Sequence, residues 1–140
     1  MEVEVRDRPA FANILVKLEQ GETIIAESDA MASMSSTLEM QTTWNGGVVA
    51  AILRRVFGGE SLFVNKFTAK SAGEIVITQA FPGDIECIEL TGNTFFLQPG
   101  GYIASEPSVK LGMEWAGFAS WIGGEGLFRL KLSGNGKFWF

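Results

Sequence analysis

The sequence contains no histidine and only one cysteine, Cys87. A single cysteine cannot form a disulfide bond within the chain, and this fits a reducing compartment. Without histidine, a cysteine nucleophile has no evident activating base, and acidic neighbours such as Glu86 would raise the pKa of the thiol. We therefore expect Cys87 to be a small strand hydrophobe, and we expect no catalytic residues, cofactor or metal site. A hard-cation site built from Asp29, Asp84 or Glu86 is the weaker alternative.

Positive charge and long apolar runs are also scarce. The net charge of −5 and the isoelectric point near 4.7 oppose nucleic-acid binding driven by counterion release. No apolar run approaches the 18 or more residues that a membrane span needs, and residues 1–11 lack the apolar core of a signal peptide. These features predict a cytoplasmic protein that does not bind nucleic acid.

Glycine is abundant, and the 17 glycines stand between short apolar runs, a pattern typical of many short strands. Ile14, Val16 and Leu18 alternate with polar residues, which predicts a half-buried strand. Further strands are predicted over residues 23–27, 38–44 and 74–77. Residues 1–10 are interpreted as a polar lead-in, residues 28–37 as irregular and 135–136, an Asn-Gly pair, as a hairpin turn.

An internal repeat organises the chain. Residues 58–66 return as residues 123–131 with six of nine positions identical, and the alternating pattern of residues 38–44 returns at 109–115. Repeated units bury their apolar faces against one another. The sequence therefore predicts an all-β fold of tandem repeated antiparallel β-sandwich units, the first spanning residues 1–80 and the second 81–140.

One segment, residues 48–57, has the apolar spacing of a short helix. Two arginines lie beside its apolar face, so it is a candidate membrane or interface site. Packing against a β unit or another subunit is the alternative. The candidate residues are Val49, Ile52, Leu53, Arg54, Arg55, Val56 and Phe57.

Glu60 and Glu125 occupy equivalent places in the two repeats, each directly after a Gly-Gly pair. Two carboxylates can act as an acid and a base when their environments separate their pKa values. A glutamate at a repeated turn can also accept backbone N–H bonds and fix the turn into the following strand. We expect the structural role, and ligand binding by Glu60 and Glu125 stays open.

Four ordered motifs, LEQGETIIAESDAMASM, ESLFVNKFTAKSAGEI, QAFPGDIECIEL and GEGLFRLKLSGNGK, resemble a family of uncharacterised bacterial and archaeal proteins. Its eukaryotic relative is the mitochondrial-biogenesis protein named for altered inheritance of mitochondria. The resemblance implies a fold like that of the tryptophan RNA-binding attenuation protein, with β-sandwich units assembled into a ring-like oligomer. The family usually has a third repeat, which is absent here. The ligand and RNA functions of the attenuation protein are not transferred, because its loops and basic rim have no match.

These observations favour a non-catalytic oligomeric β scaffold or binding protein. A peripheral membrane protein acting through residues 48–57 and a small-molecule binder or enzyme using the clefts between repeats are the alternatives. The aromatic residue Phe140 follows the last predicted strand, and we expect a neighbouring subunit or a further segment to cover it.

Overall fold

The computed structural model describes residues 1–44, 63–115 and 128–140. These residues form antiparallel sheets and one short 3₁₀ turn, so the predicted all-β class is confirmed. The predicted helix at 48–57 lies outside the described residues. The strands are β1 Glu2–Arg6, β2 Asn13–Leu18, β3 Thr23–Glu27, β4 Met31–Met34, β5 Leu38–Trp44, β6 Phe63–Ala69, β7 Gly73–Thr78, β8 Cys87–Thr91, β9 Phe95–Leu97, β10 Ala104–Ser105, β11 Val109–Trp115 and β12 Phe128–Trp139, with the 3₁₀ turn at Pro99–Gly101.

The described strands form two sheets. The smaller sheet has the order β1-β2-β7-β4 and belongs to the first half of the chain. The larger sheet follows the order β11-β12-β10-β3-β6-β5, and β8 and β9 also pair with β12. The larger sheet therefore contains strands from both halves.

The two halves use the same strand pairings. In the first half, β7 pairs with β2 and β4, and β6 pairs with β3 and β5. In the second half, β12 takes both roles, because one part of it pairs with β8 and β10 and the other with β9 and β11. The registers of these pairings also correspond, so that each cross-strand pair of the first half has an equivalent pair in the second half. The equivalent pairs, first half then second half, are Leu15–Val76 and Cys87–Trp139, Ile24–Phe67 and Phe95–Leu132, Met34–Ile75 and Ser105–Phe138, and Leu38–Ala69 and Val109–Gly134.

The correspondence extends to the turns. Gly21 and Gly92 both have a positive φ, 84° and 92° respectively, a conformation that favours glycine. The N–H of Gly21 donates to the carbonyl of Ala69 at 2.8 Å, and the N–H of Gly92 donates to the carbonyl of Gly134 at 3.0 Å. The same turn geometry therefore precedes both β3 and the segment leading to β9.

The hairpin predicted at Asn135-Gly136 is wrong, since β12 runs through this site as one strand of 12 residues. Gly134 and Gly136 have φ values of 106° and 137°, which let the strand bend without leaving its ladders. Residues before Gly134 pair with β9 and β11, whereas Asn135 and the residues after it pair with β8. A long bent strand therefore replaces the separate β6 and β7 of the first half.

Two further predictions are wrong. The polar lead-in, in which no strand was predicted, contains β1, whose register with β2 places Val3 opposite Val16. The segment 28–37 contains β4, which pairs with β7 across an irregularity between Met31 and Ser33. Strand β1 does alternate, with Val3 and Val5 between charged residues, whereas the four residues of β4, Met-Ala-Ser-Met, are too few to show a clear alternation.

Two apolar clusters form the described core. The first consists mainly of aliphatic residues of the first half, completed by Ile85, Ile103, Ala104 and Trp139 of the second half. The second cluster contains Tyr102, Leu130, Leu132 and Phe138, with Val64 from the first half. Because each cluster takes residues from both halves, the described halves share their core.

Candidate functional site

The residues predicted as candidate sites lie outside the described part of the chain. Glu60, Glu125 and the whole candidate membrane or interface segment at 48–57 belong to parts of the chain that the structure does not describe. Their roles stay predictions. The described residues contain a different feature, a junction between the halves, which sequence reasoning missed.

The junction is formed by β10, which lies between β12 of its own half and β3 of the other half. Ala104 is opposite Ala26, and Ser105 is opposite Ile25. The N–H of Glu27 also donates to the carbonyl of Ile103 at 2.9 Å. With only two residues, β10 has no detectable alternation in the sequence, which explains why the junction was not predicted.

Tyr102 closes the junction from within the core. Its hydroxyl lies 2.9 Å from the Ser105 hydroxyl and donates to the carbonyl of Ile25 at 3.4 Å. Tyr102 and Ser105 are both fully buried, and burial raises the pKa of the Tyr102 phenol. The buried hydroxyl pair therefore joins a second-half loop to the backbone of a first-half strand by neutral hydrogen bonds.

A cleft of about 230 Å³ lies beside the same junction. One wall comes from β1 and the other from second-half residues, so this is a cleft between the halves. Its lining mixes apolar side chains with one acid and one base. The lining residues are Met1, Val3, Val5, Cys87, Glu106, Lys137 and Trp139.

Cys87 lies on β8, as predicted, but its side chain is exposed instead of packed. Partial desolvation raises the pKa of the thiol, and nearby Glu106, Glu89 and Glu86 raise it further, whereas Lys137 lowers it. Glu106 accepts the backbone N–H of Lys137 at 3.0 Å and thereby holds the turn before β11. The cleft therefore presents a protonated thiol at neutral pH, which is a weak nucleophile.

An ion-pair cluster joins the segment before β2 to the segment before β8. Arg8 donates from Nε to one oxygen of Asp84 at 2.7 Å and from Nη2 to the other at 2.9 Å, and Nη2 also donates to Glu86. Hydrogen bonds from Arg8 lower the pKa of Asp84, and those bonds raise the pKa of Arg8. The three residues are partly or largely exposed, so the cluster adds little to stability.

Several large apolar side chains of the described residues remain exposed. Phe11 and Phe81 lie in loops near the same corner, because Phe11 forms a bridge with Gly83. Others lie on strands β4, β5, β9 and β11. Those on strands are Met34, Met40, Phe96, Met113 and Trp115.

Phe140 is covered in part by its own chain. Its backbone exchanges two hydrogen bonds with Glu86, at 2.9 and 3.1 Å, and its ring lies 6.0 Å from that of Phe95 and 5.7 Å from that of Phe138. Phe140 is still only partly buried, and its covering by a neighbouring subunit or a further segment stays a prediction.

The described residues contain neither a metal-binding cluster nor a membrane-spanning helix. Within residues 1–44, 63–115 and 128–140, no three histidine, cysteine, aspartate or glutamate side chains are grouped closely enough to hold a metal ion. The same ranges contain no helix long and apolar enough to span a membrane.

Comparison with known proteins places the chain among its relatives. An uncharacterised protein of Streptococcus pyogenes serotype M6 is 27% identical over 134 residues, covering 90% of this chain and 54% of the relative. A crystal structure of a Streptococcus pyogenes protein is similar in fold, with a TM-score of 0.76 and 24% identity, covering 99% of this chain and 62% of that one. The chain thus spans between half and two thirds of the length of these relatives. The sequence profile of the family described as mitochondrial biogenesis AIM24 matches residues 3–140, and the chain belongs to this family.

Proposed function

We propose that the chain consists of two copies of one β-sandwich module, residues 1–80 and 81–140, arranged like the units of the attenuation protein. It works as a non-catalytic scaffold or binding protein that assembles with further copies of itself. The corresponding registers of the four strand pairings support the modular part of this proposal. The chain belongs to the AIM24 family, and the relative from Streptococcus pyogenes serotype M6 is itself uncharacterised, so neither finding points to a particular enzyme activity.

The observation that carries the proposal is the junction between the halves. Strand β10 extends the first half's sheet by pairing with β3, and the fully buried Tyr102 and Ala104 seal the contact. Sheet extension through main-chain hydrogen bonds is a general way in which β proteins bind other chains. A module joined to its neighbour in this way offers the same kind of joint to further modules.

Light scattering of the purified chain at micromolar concentration tests assembly. We expect a mass that is a multiple of the 15.2 kDa chain and does not change over a tenfold dilution. A monodisperse single chain over the same range would contradict the proposal.

Peripheral membrane binding is a second candidate function. Met113 and Trp115 are exposed at the end of β11, just before residues 116–127. A membrane role for the apolar segment 48–57 is tested by liposome flotation with Leu53→Asp. The membrane proposal predicts that the substitution reduces flotation, and it fails if the variant and the wild type float equally.

Small-molecule binding in a cleft between the modules is the third candidate, because the cleft beside β1 mixes apolar walls with Glu106 and Lys137. If Glu60 and Glu125 serve such a ligand, replacing both by glutamine abolishes binding and leaves the free energy of unfolding nearly unchanged. A large loss of stability would instead support the turn-fixing role of these residues.

A further inference from the structure

The cleft between the halves has an apolar end and a polar end. Cys87 and Trp139 are opposite each other in the ladder of β8 and β12, so their side chains lie on the same face of the larger sheet. Lys137 comes two residues before Trp139 and therefore shares that face, about 6.6 Å farther along β12. Val3 and Val5 of β1 line the opposite wall. A molecule in the cleft thus meets apolar side chains at one end and Lys137 at the other.

The polar end presents one hydrogen-bond donor and one acceptor. Lys137 is exposed, and its ammonium group forms no ion pair with any described residue. Glu106 accepts the backbone N–H of Lys137 through Oε2 at 3.0 Å, and its Oε1 accepts no hydrogen bond from the described residues. Because the two charged groups do not pair with each other, both remain available to a ligand.

The charges around the cleft oppose an ionised ligand. A carboxylate would pair with Lys137 but would meet Glu106 and the neighbouring Glu86 and Glu89, which already raise the pKa of the Cys87 thiol. An ammonium group would pair with Glu106 but would meet Lys137. A zwitterion would match both groups, but two charges would then lose their water. A neutral primary amide offers its carbonyl to Lys137 and its N–H groups to Glu106 without either conflict.

We propose that the cleft binds a small uncharged amphiphile, with a short alkyl chain between Trp139 and the valines of β1 and a primary amide between Lys137 and Glu106. The volume of about 230 Å³ is below the range of about 300–1,000 Å³ that is typical of pockets for drug-sized ligands, so the cleft suits a short chain and excludes a whole phospholipid. This inference rests on the third candidate function, small-molecule binding in the cleft, and specifies its ligand.

Cys87 reports occupancy of the cleft, because it lines the cleft, is exposed and is the only cysteine of the sequence. The probe is hexanamide, and hexanoate and hexylamine carry the same alkyl chain with a charged end. The rate at which N-ethylmaleimide alkylates Cys87 is followed by mass spectrometry at increasing concentrations of each compound, into the millimolar range because small ligands bind weakly. Hexanamide should slow the alkylation, with an affinity about tenfold higher than that of either charged compound.

Lys137→Met removes the ammonium group and keeps most of the length of the side chain. It should weaken hexanamide binding about tenfold. Since Lys137 also lowers the pKa of Cys87, the rates with and without ligand are compared within each variant. Lys110→Met is the matched control, because Lys110 is also an exposed strand lysine but does not line the cleft, and it should bind like the wild type. Glu106→Gln should raise the affinity for hexanoate, because it removes a carboxylate from the lining.

The three compounds can be compared on the wild type, so the test holds even if a variant fails to fold. A charged compound that binds as tightly as hexanamide would overturn the assigned ligand class and leave binding in the cleft standing. Equal hexanamide affinities for the wild type and Lys137→Met would also overturn the assignment. If none of the compounds slows the alkylation, both this inference and the third candidate function fail.

Discussion

Strands β3 and β9 occupy the same place in the two halves but meet different surroundings. Strand β3 lies between β6 and β10, and its residues Ile24 and Ala26 are fully buried. Strand β9 pairs with β12 alone among the described strands, and the corresponding residues Phe95 and Leu97 are only partly buried. The ladders are in the same register, so the backbone pattern does not cause this difference. What differs is whether a strand of a second module has been added at the edge.

The two halves also differ in the side chains that fill corresponding core positions. The positions of Ile24, Ile75 and Ile77 in the first half correspond to Phe95, Phe138 and Phe140 in the second. All three isoleucines are fully buried, whereas only Phe138 of the aromatic set is. The phenylalanine rings pack on one another, with centroids 5.3 to 6.0 Å apart. Aromatic rings in the second half therefore occupy the positions that buried isoleucines fill in the first half.

The largest expected effect comes from the shared centre of the two halves. Phe67 and Leu132 occupy corresponding ladder positions and are both fully buried. Phe67→Ala should lower the free energy of unfolding by about 3–5 kcal/mol, and Leu132→Ala by about 2–5 kcal/mol. Because the core clusters contain residues from both halves, each substitution should move a single urea transition. Two separate transitions, with only one shifted, would show that the halves unfold independently.

The bend of β12 provides the next comparison. Gly134 corresponds to Ala69, but its φ is 106° and an added Cβ would lie 2.6 Å from the carbonyl oxygen of Ser108. Gly134→Ala should therefore reduce stability by about 1–3 kcal/mol. Gly112→Ala is the control, because no atom lies within 4 Å of its added Cβ. Equal urea midpoints for the two variants would contradict the role given to Gly134.

The junction itself is weakened by Tyr102→Phe. The substitution removes the hydroxyl that bonds Ser105 and the carbonyl of Ile25, and it leaves the buried Ser105 hydroxyl without this partner. We expect a loss of about 1–2 kcal/mol in chemical denaturation. Adding Ser105→Ala should recover part of that loss, since no unpaired hydroxyl then remains. If the double variant is less stable than Tyr102→Phe by the whole loss that Ser105→Ala causes on its own, the two hydroxyls do not share one hydrogen-bond network.

The smallest effect concerns the link between the segments that precede β2 and β8. The folded protein holds the pKa of Asp84 below its ordinary value of 3.8, mainly through Arg8. A lowered carboxyl pKa stabilises the fold above the ordinary pKa, and this contribution is lost as the pH falls through the folded-state value. The stability difference between wild type and Arg8→Gln should therefore be small at pH 7 and should decrease as the pH falls below 3.8. A difference that persists in acid would mean that Arg8 acts by packing.

The sequence predicted the regular parts of this fold well. Strands β3 and β5 match the predicted ranges, and Ile14, Val16 and Leu18 are buried as their alternation indicated. These features depend on local patterns, and a local pattern is visible in one sequence.

The parts that were missed depend on tertiary contacts. The two residues of β10 and the four residues of β4, Met-Ala-Ser-Met, are too few to show a clear period. The Asn-Gly pair at 135–136 has a hairpin signal, but pairing with Thr91 and Leu90 of β8 holds the chain extended. The junction site was therefore beyond sequence reasoning, whereas Glu60, Glu125 and segment 48–57 remain predictions.

Amide hydrogen exchange at Ile25 and Phe96 tests the central claim most directly, because these residues occupy corresponding positions on the closed and the open strand. The N–H of Glu27 donates to Ile103, and alternation along β3 points the Ile25 amide toward β10 as well. At micromolar concentration, where we expect the protein to be assembled, the account predicts similar slow exchange for both amides. It predicts fast exchange at Phe96 alone once dilution far below that range has separated the chains. Rapid exchange at Phe96 in the assembled protein would contradict the claim that one strand-addition joint serves both within and between chains.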